Sequence, residues 1–271
     1  MINFKQWLSF NETISLKGDY KGSIFQRLVA AKYKLAPTLE QSAIPAFKEL
    51  AEKIGRQHEF LSSKYEFKPT QNDPYPSMKA MTKDIKLQKS MGIRKPVIPV
   101  YAEPPAMAGE EKGGHPVFSN LDNVKQRGVH DIIAHYFGQH PFSARGEYAA
   151  YNRHLKTLCN YKQVKDGKCL AAKAMFSEGV AQTSYYYIYG NYADQKAIIL
   201  EDFDHARIGL LSPSSPLNDF FTVENKTMSL KPDFSWKNFT AAHSELATEL
   251  INQEQNNQKL SPIFTNMTEN N

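Results

Sequence analysis

The chain has 271 residues, with 41% hydrophobic and 23% charged residues and a formal net charge of +5. That length can bury a sizeable core, and the composition is that of an ordinary globular protein rather than a disordered or fibrous one. No run of about 18 apolar residues occurs, which excludes a spanning helix, and the start Met1-Ile-Asn-Phe-Lys-Gln-Trp7 lacks the apolar stretch of a signal peptide. A cytoplasmic protein is the expectation.

Residues from about 23 to 65 read as a helical scaffold in two pieces divided near Pro37. Leu39, Ile44, Phe47, Leu50, Ile54 and Phe60 recur near helical spacing in the second piece, and Thr38 with Gln41 suggests a capping box. Lys68 to Pro76 reads as turn and extended chain, because proline and the residue before it disfavour helix. Ser77 to Ser90 can form a short helix. Val97-Ile-Pro-Val-Tyr101 reads as an edge strand, since Pro99 cannot donate to a central ladder. Glu103 to Gly114 is a loop long enough to cover a cavity.

Three helices are then expected, over about 121–137, 143–160 and 170–189. Gly138 with Pro141 ends the first, Ser143 caps the second and Gly190 ends the third. Ala193 to Leu200 suits a further short helix. The pattern weakens over 201–271, where Phe239 to Asn252 is one plausible helix. The fold expected is mainly α: a single domain over 1–271, with a helical-bundle core at about 121–200, short extended or edge-strand segments and long loops.

Cys159 and Cys169 are the only cysteines. A disulfide across the Asp166-Gly167 turn is sterically allowed, but a reducing cytosol disfavours it. Lysines spread through the first hundred residues are densest at Lys79, Lys83, Lys86, Lys89 and Lys95. They are compatible with weak attraction to nucleic acid, although a solvated basic surface is the simpler reading.

Four of the eight histidines fall between His130 and His154, interleaved with Asp131 and Glu147. Imidazole and carboxylate groups are the usual ligands of zinc, manganese and non-haem iron. At about 100° per residue, Asp131 and His135 share one face of the first helix, Glu147, Tyr151 and His154 share one face of the second, and Glu178 and Gln182 share one face of the third. Facing helices can aim such groups at one interior point and hold one or two ions there. His130 stands about 140° from His135 on an ideal helix, so both reach one ion only if the helix is distorted; a role beside the ligands or facing substrate suits it. Asp131 serves alternatively to orient His135. Arg145 suits an anionic substrate or neutralises the acidic groups. Polar-core hydrogen bonding remains the bland alternative for any single pair. Neither H-E-x-x-H, G-x-S-x-G, a Walker A loop, G-x-G-x-x-G nor a pair of E-x-x-H repeats is present.

The ordered series Gly128-Val-His-Asp-Ile-Ile-Ala-His135, Phe142 to Tyr151, His154, Glu178-Gly-Val-Ala-Gln182 and Gln195 to Leu200 resembles a family of uncharacterised bacteriophage proteins. The resemblance covers roughly residues 73 to 200. It implies a phage protein acting in the host cytoplasm, with a metal site at Asp131, His135, Glu147, His154 and Glu178, and supplies no reaction. The His130-Asp131 pair also resembles HD-type phosphohydrolases, but the upstream His and downstream Asp of that class are not recognisable.

These readings lead to a metal-dependent enzyme using iron, manganese or zinc, with a hydrolase acting on a nucleotide or related phosphorylated or nucleobase substrate in front. Metal ligands would be Asp131, His135, Glu147, His154 and Glu178; His130, Arg145, Tyr151 and Gln182 would serve catalysis. A non-haem iron oxidative enzyme and a non-enzymatic phage accessory or virion-associated binding protein are the alternatives.

Overall fold

A computed structural model describes residues 23–72, 74–102, 114–224 and 227–256. The 103–114 loop considered above as a cover lies, except for Gly114, outside the described residues.

The fold is mainly α, as the periodicity requires. Helix α1 (Ile24–Leu35) is capped by Ser23, whose side chain accepts from Gln26 N. After a 3₁₀ turn, Gln41–Ala43, helix α2 (Ile44–Ser62) follows. The Thr38–Gln41 capping box does not form. Instead the backbone there pairs with a distant segment: Ala197 N donates to Thr38 O, and Glu40 N donates to Ala197 O, both at 2.9 Å. That pairing also overturns the short helix expected over 193–200, which is an extended strap forming an isolated bridge to Leu39. Tertiary hydrogen bonds here outweigh local helix propensity.

Strands β1 (Glu66–Thr70) and β2 (Val97–Tyr101) form a two-stranded parallel sheet, with Pro69 opposite Val100 and Lys68 opposite Pro99. Prolines are tolerated because, among the described residues, each strand has a neighbour on one side only. Helix α3 (Met78–Ser90), capped by Ser77, joins the two strands. A capping box between Ser119 and Asp122 opens α4 (Asn120–His130).

At Asp131 the helix changes register and continues as a π segment, Asp131–Phe137. Helix α5 (Ala144–Leu158) is capped by Ser143, and α6 (Tyr161–Lys165) is a single short turn closed by an Asn160–Gln163 capping box. The expected third helix is three pieces: α7 (Leu170–Met175), a second π segment (Phe176–Ala181) and α8 (Gln182–Tyr189), stopped by Gly190 at φ 77°. A left-handed terminal residue of this kind suits glycine. Beyond it, the 3₁₀ turn Pro216–Asp219 leads into an antiparallel hairpin, β3 (Phe221–Glu224) with β4 (Thr227–Leu230), and then α9 (Trp236–Ala242) and α10 (Ser244–Asn256). Neither the hairpin nor the break at His243 is legible in the weak pattern of this region.

Helix α1 packs between α8 and α10, while α2 lies across α4 and α7. The centre is filled by Phe25, Tyr33, Phe47, Leu50, Tyr148, Tyr151 and Phe176, all at most 2% exposed. Cys159, at the end of α5, and Cys169, at the start of α7, are joined as a disulfide with Cα atoms 6.3 Å apart, a separation within the usual range. The expectation of two free thiols is corrected accordingly. Among the described residues, no helix is long and apolar enough to cross a membrane.

Candidate metal centre

The first π segment decides the site. In an α-helix His130 and His135 point apart, but a π turn closes between residues i and i+5. His130 immediately precedes the π segment, so His135 returns one π turn above it. The two Nε2 atoms lie 2.9 Å apart and the ring centroids 4.7 Å apart. Helix α5 brings Glu147 against both: Oε2 is 3.1 Å from His130 Nε2, and Oε1 is 3.4 Å from His135 Nε2. Glu147 can sit there because Gly146 lets the first turn of α5 pass the Pro141 carbonyl, where an added Cβ would stand 1.8 Å from the oxygen.

Each imidazole is oriented from behind. His135 Nδ1 lies 2.7 Å from the His140 carbonyl oxygen, which only accepts, so Nδ1 carries a proton and Nε2 faces the cluster, where it donates to Glu147 when the ring is charged and would offer its lone pair to an ion when the ring is neutral. The edge of His135 also meets Phe142 at 4.4 Å between centroids. His130 Nδ1 lies 3.0 Å from Nε2 of His154, a fully buried ring stacked on it at an 11° interplanar angle. With an ion on Nε2, His130 would keep its proton on Nδ1 and donate it to His154, the outer-shell bond that metal-bound imidazoles commonly make.

Electrostatics follow this packing. Burial opposes the charge on Glu147, but hydrogen bonds from His130 and His135 more than offset it and hold its carboxyl at about 2. Burial lowers His135, yet the Glu147 carboxylate carries it above the ordinary histidine value. Burial, followed by the charges of His130 and His135, pushes His154 well below that value, so it stays neutral. Burial and then the nearby Arg153 guanidinium lower His140.

His130, His135 and Glu147 therefore form a group that could hold a metal ion. Bonds of about 2.0–2.2 Å in a tetrahedral shell imply donor separations of roughly 3.3–3.6 Å; the Nε2 atoms at 2.9 Å, with Glu147 Oε2 at 3.1 Å from His130 and Oε1 at 3.4 Å from His135, need a modest relaxation to reach them. Two imidazoles with one carboxylate suit zinc, iron or manganese, and three protein donors leave at least one coordination position for water or substrate.

The remaining predicted residues fall elsewhere. Asp131 is outside the donor group, though its charge helps raise His135. His154 stands behind His130 rather than beside it, so these two histidines exchange the places expected for them. Glu178 belongs to a separate buried cluster: Gln182 Nε2 donates to its Oε2 at 2.9 Å, and His115 Nε2 lies 3.4 Å from its Oε1. Gln182 is thus brought to Glu178, not to the histidines. The Tyr151 hydroxyl donates to the carbonyls of His205 and Ala172 inside the core, which makes it a packing residue. Arg145 is exposed, and two residues from Glu147 it projects from nearly the opposite side of α5.

Sequence reasoning missed the His140 carbonyl, a backbone contribution that residue type does not encode, and His115, which stood alone in the chain. The chain signals His130 as a donor only through the helix distortion that its spacing from His135 requires. A cavity of about 660 Å³ lined in part by Lys32, Glu40, Asp202, Ser215 and His243 includes none of the donor residues, so it is distinct from the metal group. Comparison with protein-family models, with curated proteins and with solved structures finds no match to this chain.

Proposed function

We propose that the protein is a metal-dependent enzyme whose centre is His130, His135 and Glu147, and that its reaction is hydrolytic. The observation that carries the proposal is the convergence of three donors from two elements, each imidazole fixed from behind by His140 O or His154. A bound ion would act as a Lewis acid, acidifying a water and polarising a phosphoryl or carbonyl oxygen. The chain itself fixes the donor tautomers and supplies a carboxylate held ionised across neutral pH. Arg153 adds positive charge on the His140 side, which favours an anionic substrate. A nucleotide or related phosphorylated compound is the class we propose, in keeping with the resemblance to phage proteins.

The same donor set favours a second reading. Two histidines and one carboxylate with open positions are also the ligand pattern of non-haem iron oxygenases.

Elemental analysis of untagged protein, with His135→Ala and Glu147→Ala beside it, tests the centre. Stoichiometric zinc or manganese in the wild type, absent from both variants, with release of phosphate from nucleotides or of nitrophenolate from aryl phosphates, supports the hydrolase. Stoichiometric iron with oxygen consumption supports the oxidative reading. Protein that neither carries metal nor is stabilised by added metal sinks both, leaving the cluster a polar-core feature of a binding protein.

A further inference from the structure

A second constellation of metal-ligand atoms lies at the disulfide. Glu49, Cys159 and Cys169 present a carboxylate oxygen and two sulfurs, all within 4.8 Å of one another. Both cysteines are buried, at 8% and 3% exposed. A cation already sits among them: Lys53 Nζ is 2.8 Å from Glu49 Oε1, 3.4 Å from Cys159 Sγ and 3.9 Å from Cys169 Sγ. Lys53 and Glu49 are an ion pair one turn apart on α2, and that pair sets a cation and a carboxylate against both sulfurs.

We propose that this cluster is a redox-gated site for a thiophilic divalent ion of the zinc class, closed while the disulfide stands and opened when it is reduced. Exchange with a dithiol breaks the Cys159–Cys169 bond; the dithiol gives two electrons and two protons and leaves as its own disulfide. The ion then takes both sulfurs as thiolates with Glu49, and two protons go to solvent. Two thiolates, one carboxylate, a divalent ion and the Lys53 ammonium sum to zero charge, so the half-buried site gains no net charge. Thiolate donors select zinc over the hard cations. The 6.3 Å Cα separation places both sulfurs within reach of one ion without moving the helices that carry them.

The inference does not rest on the His/Glu centre, and cobalt(II) separates the two. Only thiolate ligation gives sulfur-to-cobalt charge-transfer absorption in the near ultraviolet. The full chain, reduced with a dithiol and desalted without oxygen, is titrated with cobalt(II) as wild type and as His135→Ala/Glu147→Ala. The expected result is one equivalent with that absorption in both proteins, none before reduction, and loss of the band on reoxidation. Glu49→Gln, which keeps both cysteines, weakens binding by at least about tenfold, in line with the loss caused even by outer-shell changes. Lys53→Met tightens it by removing the competing cation. Reduced, folded protein without the band overturns the proposal, as does a band that persists in Cys159→Ser or ignores Glu49→Gln.

Discussion

Replacing Glu147 with Gln keeps the side chain's shape and removes one charge. In the folded protein this carboxyl titrates near 2 against an ordinary value of 4.5. At about 1.4 kcal/mol per unit, the difference corresponds to roughly 3 kcal/mol by which the hydrogen bonds and charges of the two histidines exceed the cost of burying the carboxylate. Because the folded value is depressed, that contribution is present above pH 4.5 and is lost as pH falls towards 2. The partner works in the opposite sense. His135 is raised in the folded state, so its share is complete below 6.5 and is lost as pH climbs through the folded value. In metal-free protein the stability gap between wild type and Glu147→Gln is therefore largest between about pH 4.5 and 6.5 and shrinks on either side. Urea unfolding in chelator-treated buffer at several pH values measures it; a gap of about 2–3 kcal/mol is expected at its maximum, or roughly 5–10 °C in Tm. A gap independent of pH from 3 to 8 would refute the charge argument, and a more stable variant at pH 5.5 would refute it outright.

Truncating His154 to Ala removes the acceptor behind His130, and metal affinity should fall about 10–100-fold with His135 and Glu147 intact; competition against a chelator of known affinity reads this, and unchanged affinity would return His154 to a packing role. Gly146→Ala drives a methyl against the Pro141 carbonyl, so the first turn of α5 must move; a loss of roughly 1–3 kcal/mol together with weakened metal binding is expected, and normal binding would show that Glu147 does not depend on this close approach. Glu178→Gln should lower stability by about 1–3 kcal/mol, the usual cost of disturbing a buried charged hydrogen bond, while leaving metal stoichiometry alone; metal loss there would place Glu178 in the centre after all.

The helices themselves were legible because their signals are local. Ser77 and Ser143 stand where caps form, Gly190 where a helix stops, and apolar residues recur at helical spacing between them. The candidate site was legible as a neighbourhood: a concentration of histidine and carboxylate on the helices around Glu147 is a matter of composition and spacing. Which residues converge was not, because the deciding feature is one extra residue per turn. The change from α to π register at Asp131 turns the His130–His135 spacing from divergent to convergent, and local propensity does not record it. The same holds for Glu178 and His115, 63 positions apart, and for the strap at Ala197 against Leu39. Sequence by itself determined the helical class and the donor types available. Tertiary packing alone decided which donors meet, since backbone register, a carbonyl such as that of His140 and the approach of a distant helix are set by the core as a whole.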